Sequence, residues 1–547
     1  MDYKKLAELL FPNIESADDV LKRYPKRDLK DGQQVTRYAP SPTGYMHIGN
    51  FFQAFISYCL AKNSQGIFIV RTEDTDQERQ VEGAMDIIFN NLHVYGLEPD
   101  EYEKPNGETK GSYGPYIQSK RPTFYKIFAK KLVAEGKAYP CFCESKGGKA
   151  EILKERETKF IDTDNTEYDE CRNLNLEDVE KNLKAGKKFA IRLKTDGTGK
   201  ERIKFVDLIK GEIEAQANAK DVVLLKSDGL APYTFAHIID DMLMGVTVVV
   251  RGEEYIASTP VHLEIIDKLG FERPKYCHNP LIWKIGDNGN KRKISKRYDP
   301  EADMRFYAKE GYPTETVIEY LLNLINSGFE IWRGQNPEKS WREFKFGINE
   351  ITTIAPIFDL VKLNDISKTI ISRMTAEEVY GRTLEWAKEN DKDFAEFLLK
   401  NKAYSTKVFN IDRDNPKPRK DIYKWSMIKE YFYYMFREPQ LEELAEEDRE
   451  KYEEFMNAYA KQFKFPASKD EWFANVKEVA EKMGYAVDNK LYKVNPDAYK
   501  GNTAKACEFI RLALTGKKNS PDLYEIMTIL GEEKTMQRIN GGKKWEN

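Results

Sequence analysis

The chain has 547 residues, of which 41% are hydrophobic and 32% charged, and its formal net charge at pH 7 is −3. This length and composition are typical of a globular protein with more than one domain, and the small net charge argues neither for nor against a nucleic-acid partner. Charged residues near the start exclude a signal peptide, no stretch reaches the ~18 apolar residues of a membrane span, and six cysteines are too few for a disulfide-built fold, so we expect a cytoplasmic protein without a membrane partner.

Strand and helix patterns alternate from residue 34 onward. The run IFIVRT is almost continuously apolar, which is typical of a parallel strand buried on both faces. The predicted elements are a helical extension at 1–33, strands at 34–39 and 67–72, a turn at 40–44, and helices at 49–62 and 78–95. Their order indicates a parallel α/β sheet.

A segment rich in Lys and Glu interrupts this alternation between about 141 and 220, and we interpret it as an inserted module. The alternation resumes with strands at 221–225 and 246–250, a helix at 233–245, and a helix that begins at Ser258 and ends at Gly270. The sequence therefore predicts one α/β domain that is split by an insertion.

Only helical patterns follow residue 360. They are found at 375–389, 393–401, 424–436, 440–462, 471–483, 503–515 and 521–539. The predicted fold class is α/β, with a Rossmann-type parallel sheet split by an inserted α+β module and followed by an all-α C-terminal domain. The predicted domains are the extension 1–33, the two sheet halves 34–140 and 221–285, the module 141–220, a motif-bearing region 286–360 and the helical domain 361–547.

The first motif, APSPTGYMHIGN at 39–50, lies between the first strand and the first helix. Ligands of open parallel sheets bind at the carboxyl ends of strands, and a helix N-terminus there offers N–H donors to phosphate. Gly44 and Gly49 permit close approach of the backbone, and His47 supplies an imidazole. Taken alone, this stretch is better explained as an ordinary turn that contains a hydrogen-bonded histidine.

The second motif, KRKISKR at 291–297, follows a predicted hairpin turn at 287–290. Lys293 and Lys296 are mobile charges suited to a triphosphate, and Ser295 adds a hydroxyl donor. A solvated basic loop is the alternative explanation of this motif alone.

Together the two motifs resemble those of class I aminoacyl-tRNA synthetases, which have the patterns His-Ile-Gly-His and Lys-Met-Ser-Lys-Ser. This sequence departs from the patterns at Asn50, Ile294 and Arg297. Such replacements are common in the glutamyl branch. Further stretches resemble glutamyl-tRNA synthetases of bacterial type, among them RTEDTD (71–76), YIQS (116–119), AYPCFC (138–143), FVDLIKGEI (205–213), FDLVKLN (358–364) and the stretch from 224 to 260.

The resemblance implies ATP-dependent ligation of L-glutamate to tRNA(Glu) through a glutamyl adenylate, assisted by Mg²⁺. It implies His47, Asn50, Lys293 and Lys296 as catalytic residues. The implied ATP-binding residues are Pro42, Gly44, His47, Gly49, Asn50, Ile294, Ser295 and Lys296. The implied glutamate-binding residues are Arg37, Ser41, Glu73, Tyr233, His237, Arg251 and Tyr255.

The chemistry of a glutamate site agrees with this assignment. Arginine binds carboxylates with a planar fork, and a carboxylate binds the substrate ammonium. Arg37, Glu73 and Arg251 all fall at predicted strand ends, where the pocket of a parallel sheet forms.

For tRNA, the resemblance implies contacts of 141–220 with the acceptor end, of 286–360 with the stem, and of 361–547 with the anticodon. The basic residues Lys417, Arg419 and Lys420 beside Trp425 are our candidate tRNA-binding surface, with a solvated basic turn as the alternative. We expect a monomer, and charging of tRNA(Gln) stays open. Two other functions also stay open: a small-molecule nucleotidyltransferase and a non-catalytic tRNA-binding protein.

Three cysteines, Cys141, Cys143 and Cys171, are spaced as in the zinc-binding insertions of some glutamyl enzymes. The fourth ligand of that pattern would fall on Asn173, a poor zinc ligand, and Tyr168 is the one nearby substitute. We therefore predict no tightly held zinc, and no metal-binding residue is assigned.

Overall fold

A computed structural model describes residues 1–75, 80–143, 169–286, 288–442 and 444–541. Two compact units are distinguished: unit 1 comprises 1–306 and 318–359, and unit 2 comprises 307–317 and 360–547. In the described ranges, no helix combines the length and apolar character that crossing a membrane requires.

Unit 1 is built on a six-stranded sheet with the order β2-β1-β10-β11-β7-β8. The pairs from β2 to β7 are parallel, and β8 runs antiparallel to β7 at the edge. The strands are β1 Val35–Tyr38, β2 Ile67–Val70, β7 Arg202–Asp207, β8 Gly211–Gln216, β10 Val248–Gly252 and β11 Lys275–Asn279. All residues of β1 and β10 are buried, as the apolar runs indicate. The predicted α/β class is confirmed.

The predicted limits of the insertion do not coincide with the limits of the sheets. The main sheet takes β7 and β8 from the segment predicted as the module. A second sheet, β5-β6-β9, joins Ala138–Cys141, Ala190–Leu193 and Val223–Leu225, which lie before, within and after it. Strand 221–225, which was predicted to resume the parallel alternation, belongs to this antiparallel sheet. Hydrogen bonding between distant segments decides this pairing, and the alternation of elements does not reveal it. Two further ribbons are β3–β4 (Tyr102–Glu103 and Thr109–Lys110) and β12–β13 (Trp283–Ile285 and Lys291–Lys293).

Helices flank these sheets. The first two, in the N-terminal extension, begin at side-chain caps on Asp2 and Ser16. Their apolar side chains, such as Leu6 and Val20, join a core with Tyr125 and Leu132, so the extension is an integral part of unit 1. The fourth helix begins later than predicted, after Gly83 with φ 73°. The helices up to residue 335 are α1 Tyr3–Leu10, α2 Ala17–Arg23, α3 Ile48–Asn63, α4 Ala84–Val94, α5 Pro122–Ala134, α6 Asp169–Arg172, α7 Leu176–Lys184, α8 Tyr233–Leu243, α9 Thr259–Leu269, α10 Met304–Glu310, α11 Thr314–Ile325 and α12 Gly328–Gln335.

Unit 2 is helical, as predicted. Its helices after residue 359 are α13 Leu360–Arg373, α14 Ala376–Asn390, α15 Lys392–Lys400, α16 Lys402–Asn410, α17 Ile428–Tyr431, α18 Tyr433–Phe436, α19 Glu446–Gln462, α20 Lys469–Lys482, α21 Asn489–Val494, α22 Thr503–Thr515, α23 Leu523–Leu530 and α24 Glu532–Gly541. Three of these, α13, α16 and α21, were not predicted, and the helix predicted at 521–539 is divided at Gly531. Residues 307–317 belong to this unit, where Glu315 forms a two-pronged ion pair with Arg382 at 2.8 Å.

Candidate active site

The first motif forms the turn from β1 to α3. His47 is the N-cap of α3, and its Nδ1 accepts a hydrogen bond from the Gly49 N–H at 2.9 Å. Gly44 has φ 140°, a conformation that favours glycine. Pro42 is buried, His47 and Gly49 are half-buried, and Asn50 is exposed, so the helix N-terminus is accessible to an anion.

The second motif closes a tight loop after the β12–β13 hairpin. Ile294 is buried, whereas Lys293 and Lys296 are exposed. Asp299 fixes the loop, because its two oxygens accept a fork of 2.6 Å hydrogen bonds from Arg292 and one of them also accepts from the Ser295 N–H at 2.9 Å. These hydrogen bonds hold the pKa of Asp299 well below its usual range, and the hydrogen bond from Arg292 has the largest effect. Sequence reasoning did not identify Asp299 as part of this motif.

The two motifs meet in space although about 250 residues separate them. Lys296 Nζ donates a hydrogen bond to the Tyr45 carbonyl oxygen, and His47 forms a backbone bridge with Asp303. The Arg305 guanidinium lies 3.2 Å from the centre of the Tyr45 ring. Burial first, and then the charge of Lys296, lower the pKa of His47 to about 4, so this imidazole is neutral at pH 7.

A buried ionic network holds the residues predicted to bind the amino acid. Arg37 Nε donates to Asp241 at 3.0 Å, and Arg71 donates to both Asp241 at 2.6 Å and Glu73 at 2.9 Å. Burial raises the pKa of Glu73, against the opposing charges of Arg71 and Arg37. Asp241 thus links the two cations and, through Arg71, orients Glu73. Arg71 and Asp241 were missed by sequence reasoning, although charges inside such apolar runs were a signal for them.

The predicted aromatic residues gather beside Arg251. Tyr233 and His237 are stacked with ring centres 4.4 Å apart, and Tyr255 lies 5.5 Å from Tyr233. The Arg251 guanidinium lies 5.4 Å from the centre of the Tyr255 ring. Burial raises the pKa of Tyr255, and the negative charge of the Glu73 carboxylate adds to this effect.

Arg37 connects the two groups, because its second nitrogen donates to the Val250 carbonyl oxygen at 2.9 Å, one residue before Arg251. Arg37, Glu73, Tyr233, His237, Arg251 and Tyr255 therefore surround one region at the carboxyl ends of β1, β2 and β10. Ser41 is exposed in the turn after β1. The region combines two guanidinium groups with one carboxylate, a set that suits a small molecule carrying both charges.

The three predicted thiols come together in unit 1. The sulfur atoms of Cys141, Cys143 and Cys171 all lie within 4.8 Å of one another, and those of Cys143 and Cys171 are 3.4 Å apart. Burial first, and then a hydrogen bond with Cys171, raise the pKa of Cys143 to about 12. Tyr168, the substitute ligand considered above, lies outside the described residues. Within the described ranges, no fourth His, Cys, Asp or Glu ligand accompanies these thiols.

The basic residues predicted to contact tRNA lie in unit 2 after α16. Lys417 and Lys420 are exposed, and Lys420 Nζ lies 3.2 Å from Thr369 Oγ1. Arg419 is ion-paired with Asp421. The expectation that Trp425 adds a stacking surface is wrong, because Trp425 is 5% exposed and belongs to the core of the unit. An aromatic residue beside a basic run is insufficient to define a nucleic-acid surface when the ring is needed for packing.

Comparisons with known proteins give consistent matches. Residues 33–341 match the family model "tRNA synthetases class I (E and Q), catalytic domain", and residues 497–543 match an anticodon binding domain. Glutamate–tRNA ligase of Clostridium perfringens (strain 13 / Type A) is 44% identical over 549 residues, covering 98% of this chain and all of that protein. The glutamate–tRNA ligase of Clostridium beijerinckii is also 44% identical, with 99% of both chains covered.

A solved structure is similar along most of the chain. It is a glutamate tRNA ligase from Elizabethkingia meningosepticum CCUG26117 in complex with its amino acid, with a TM-score of 0.73 and 25% identity. The match covers 93% of this chain and 99% of that one.

Proposed function

This chain belongs to the glutamate–tRNA ligases among the class I tRNA synthetases, and from this membership we propose which of its residues carry out the reaction. The enzyme ligates L-glutamate to tRNA(Glu) with ATP and releases AMP and pyrophosphate. The glutamate α-carboxylate attacks the α-phosphorus to form glutamyl adenylate, and the 2′-hydroxyl of the terminal adenosine of tRNA then attacks the acyl carbon.

The meeting of the two motifs is the observation that supports the nucleotide site. The N-terminus of α3, with His47 and Asn50, binds phosphate oxygens of ATP between Pro42, Gly44 and Gly49. Lys296 reaches this turn, where it stabilises negative charge that develops on the leaving pyrophosphate. Lys293 adds charge from the hairpin, and the backbone of Ile294 and Ser295 shapes the loop.

The charges around these motifs bear on Mg²⁺, which class I synthetases typically use with ATP. Three carboxylates follow the second motif, and each is paired with a cation: Asp299 with Arg292, Glu301 with Lys284 and Asp303 with Arg305. Because they are already paired, these residues do not fit a carboxylate-built magnesium site. No residue of the chain is assigned to the ion.

The amino-acid pocket divides the charges of glutamate. Arg37 and Arg251 bind the side-chain carboxylate, because guanidinium groups match carboxylates in geometry and charge. Glu73, oriented by Arg71, binds the ammonium. Ser41, Tyr233, His237 and Tyr255 complete the wall. Binding at fixed positions in a site shielded from water supplies most of the rate, because the reaction requires two anionic substrates to approach each other.

The helical unit binds tRNA at the anticodon. The match of residues 497–543 to an anticodon binding domain supports this role for 361–547. Lys417 and Lys420 contribute to the tRNA-binding surface. Arg419 contributes to it once its ion pair with Asp421 opens. Segments 141–220 and 286–360 contact the acceptor end and the stem. The protein works as a monomer in the cytoplasm, where glutamate, ATP and tRNA meet.

Pyrophosphate exchange tests this proposal on the full chain. Exchange that depends on glutamate and is stimulated by tRNA(Glu) is the expected result. Exchange that is independent of tRNA and of the amino acid supplied would favour a small-molecule nucleotidyltransferase, and none at all with intact tRNA binding would favour a binding protein. Charging of tRNA(Gln), assayed in parallel, decides whether the enzyme accepts a second tRNA.

A further inference from the structure

The guanidinium group of Arg251 is held by three buried neutral side chains. Its Nε donates to His278 Nε2 at 3.0 Å, one terminal nitrogen lies 3.1 Å from His262 Nδ1, and the other donates to Thr259 Oγ1 at 2.8 Å. Arginine only donates hydrogen bonds, so each partner must be an acceptor. Both histidine rings are therefore neutral, and His278 carries its proton on Nδ1.

That proton is directed at Asp207. His278 Nδ1 lies 2.7 Å from Asp207 Oδ2, which also accepts from the His278 backbone N–H at 2.9 Å. Asp207 Oδ1 accepts from the backbone N–H groups of Ile209 and Lys210 at 2.9 Å each. Asp207 and His278 are 1% and 0% exposed. With donors on both oxygens, Asp207 is an ionised carboxylate and fixes the tautomer of His278.

Sheet register brings these residues together. Arg251 on β10 is the register partner of His278 on β11, and Tyr276 on β11 is the partner of Asp207 at the end of β7. Asp207, His278 and Arg251 thus form a chain across three adjacent parallel strands, at the edge where ligands of such sheets bind. The segment predicted as a separate module supplies one end of that chain.

The two pocket arginines differ in how their charge is compensated. Arg37 donates directly to the Asp241 carboxylate. Among the described residues, the hydrogen-bond acceptors of Arg251 are neutral, and the nearest carboxylate in its chain, Asp207, is separated from it by the His278 ring. The carboxylate partner of Arg37 offsets part of its positive charge, whereas the neutral acceptors of Arg251 orient its guanidinium and leave its full charge for the substrate carboxylate.

We propose that Asp207 and His278 are positioning residues that set the orientation of Arg251 and thereby the selection of glutamate over glutamine. The inference rests on the proposed role of Arg251 in binding the side-chain carboxylate. Neither residue contacts the substrate; Asp207 orients His278, and His278 orients Arg251.

The substitution Asp207→Asn tests the hydrogen-bonded series from Asp207 through His278 to Arg251 with little change in side-chain shape. One oxygen becomes an NH₂ donor that faces either two backbone N–H groups or His278. In the second case His278 moves its proton to Nε2, where it opposes the Arg251 Nε–H. The wrong tautomer then displaces the guanidinium, as in a catalytic triad that has lost its aspartate.

The glutamate KM is measured by pyrophosphate exchange in the presence of tRNA, for Asp207→Asn, His278→Leu and His278→Gln. We expect it to rise about 10- to 100-fold in the first two, as when outer partners of a metal ligand are lost. The ATP KM should change less than twofold. The glutamine of His278→Gln offers both an acceptor and a donor, so the glutamate KM should rise less in this variant than in His278→Leu. The ratio of kcat/KM for glutamate to kcat/KM for glutamine should fall as the glutamate KM rises.

A double-mutant cycle separates positioning from general damage. In an Arg251→Ala background, Asp207→Asn should add less than a twofold effect, because both changes remove the same interaction. Asp221→Asn is the matched control: Asp221 is a 2% exposed aspartate bonded to Tyr139 in the other sheet, and its variant should keep the glutamate KM.

Three results would overturn the inference: an unchanged glutamate KM in both Asp207→Asn and His278→Leu, equal rises in the KM of glutamate and ATP, or independent effects in the cycle. An unchanged glutamate KM in Arg251→Ala would instead reject the proposed role of Arg251 and the inference with it. A rise in Arg251→Ala alone would reject only the positioning chain.

Discussion

The proposed role of Lys296 in the nucleotide chemistry can be tested with a single substitution. Its ammonium is placed against the Tyr45 carbonyl, at the turn that would hold the triphosphate. Lys296→Ala should lower pyrophosphate exchange by about 10²- to 10³-fold, because a group that stabilises developing charge is lost. Binding of tRNA should be nearly unchanged. Lys291→Ala, an exposed lysine on the same hairpin, is the control, and normal exchange by Lys296→Ala would refute the assignment.

His47 should be neutral throughout the physiological range. In the folded protein without substrates, burial and the charge of Lys296 lower the pKa of His47 from 6.5 to about 4. Between pH 4 and pH 6.5 the folded state therefore binds fewer protons than the unfolded state. His47 therefore contributes stability that increases as pH rises from about 4 to 6.5. Histidine NMR with His47→Gln for assignment measures this pKa.

The same spectra of Lys296→Ala supply the control for the cause. Removing the ammonium should raise the pKa of His47, while burial keeps it below 6.5. A His47 resonance that titrates near 6.5 in the wild-type chain would contradict this account of the site.

Among the structural elements, the loop after the β12–β13 hairpin depends on one carboxylate. Asp299 accepts from Arg292, Lys284 and the Ser295 N–H. Asp299→Asn should loosen the loop and lower exchange roughly 10- to 100-fold, because small displacements of a catalytic group are costly. The glutamate KM should stay unchanged. Asn288→Ala in the hairpin turn should keep full exchange, and equal losses in both variants would show that only general stability was affected.

The cluster of three cysteines leads to a separate prediction about zinc binding. Cys141, Cys143 and Cys171 offer three sulfur atoms, and structural zinc sites normally have four ligands. We expect protein purified without chelator to carry no stoichiometric zinc and to react with thiol reagents after unfolding. About one zinc per chain retained through dialysis would contradict this and show that a further group completes the site.

At the scale of the whole molecule, two units carry two kinds of recognition. The proposed active-site residues all lie in unit 1, whereas the match to an anticodon binding domain lies in unit 2. The full-length enzyme should therefore charge tRNA(Glu) transcripts with altered anticodons less efficiently, with the glutamate KM in exchange unchanged. Equal charging of all transcripts would contradict the role assigned to 361–547.

The sequence by itself determined the family and the α/β class, and it supplied most of the proposed site residues. The run IFIVRT, and Pro260 and Gly270 at the two ends of α9, are local patterns, and local patterns report local structure. The His47 and Lys296 motifs were recognisable because their chemistry requires particular residue types in a fixed order. Trp425 was misjudged because a single ring carries no sign of which face it packs against.

Only the tertiary structure decided which distant residues serve the site. Asp241 between Arg37 and Arg71, and the chain from Asp207 to Arg251, depend on hydrogen bonds between residues up to about 200 positions apart. The placement of β7 beside β11 likewise depends on strand register. No periodicity along the chain encodes these pairings, because they arise when the sheet forms and burial forces each charged group to find a partner.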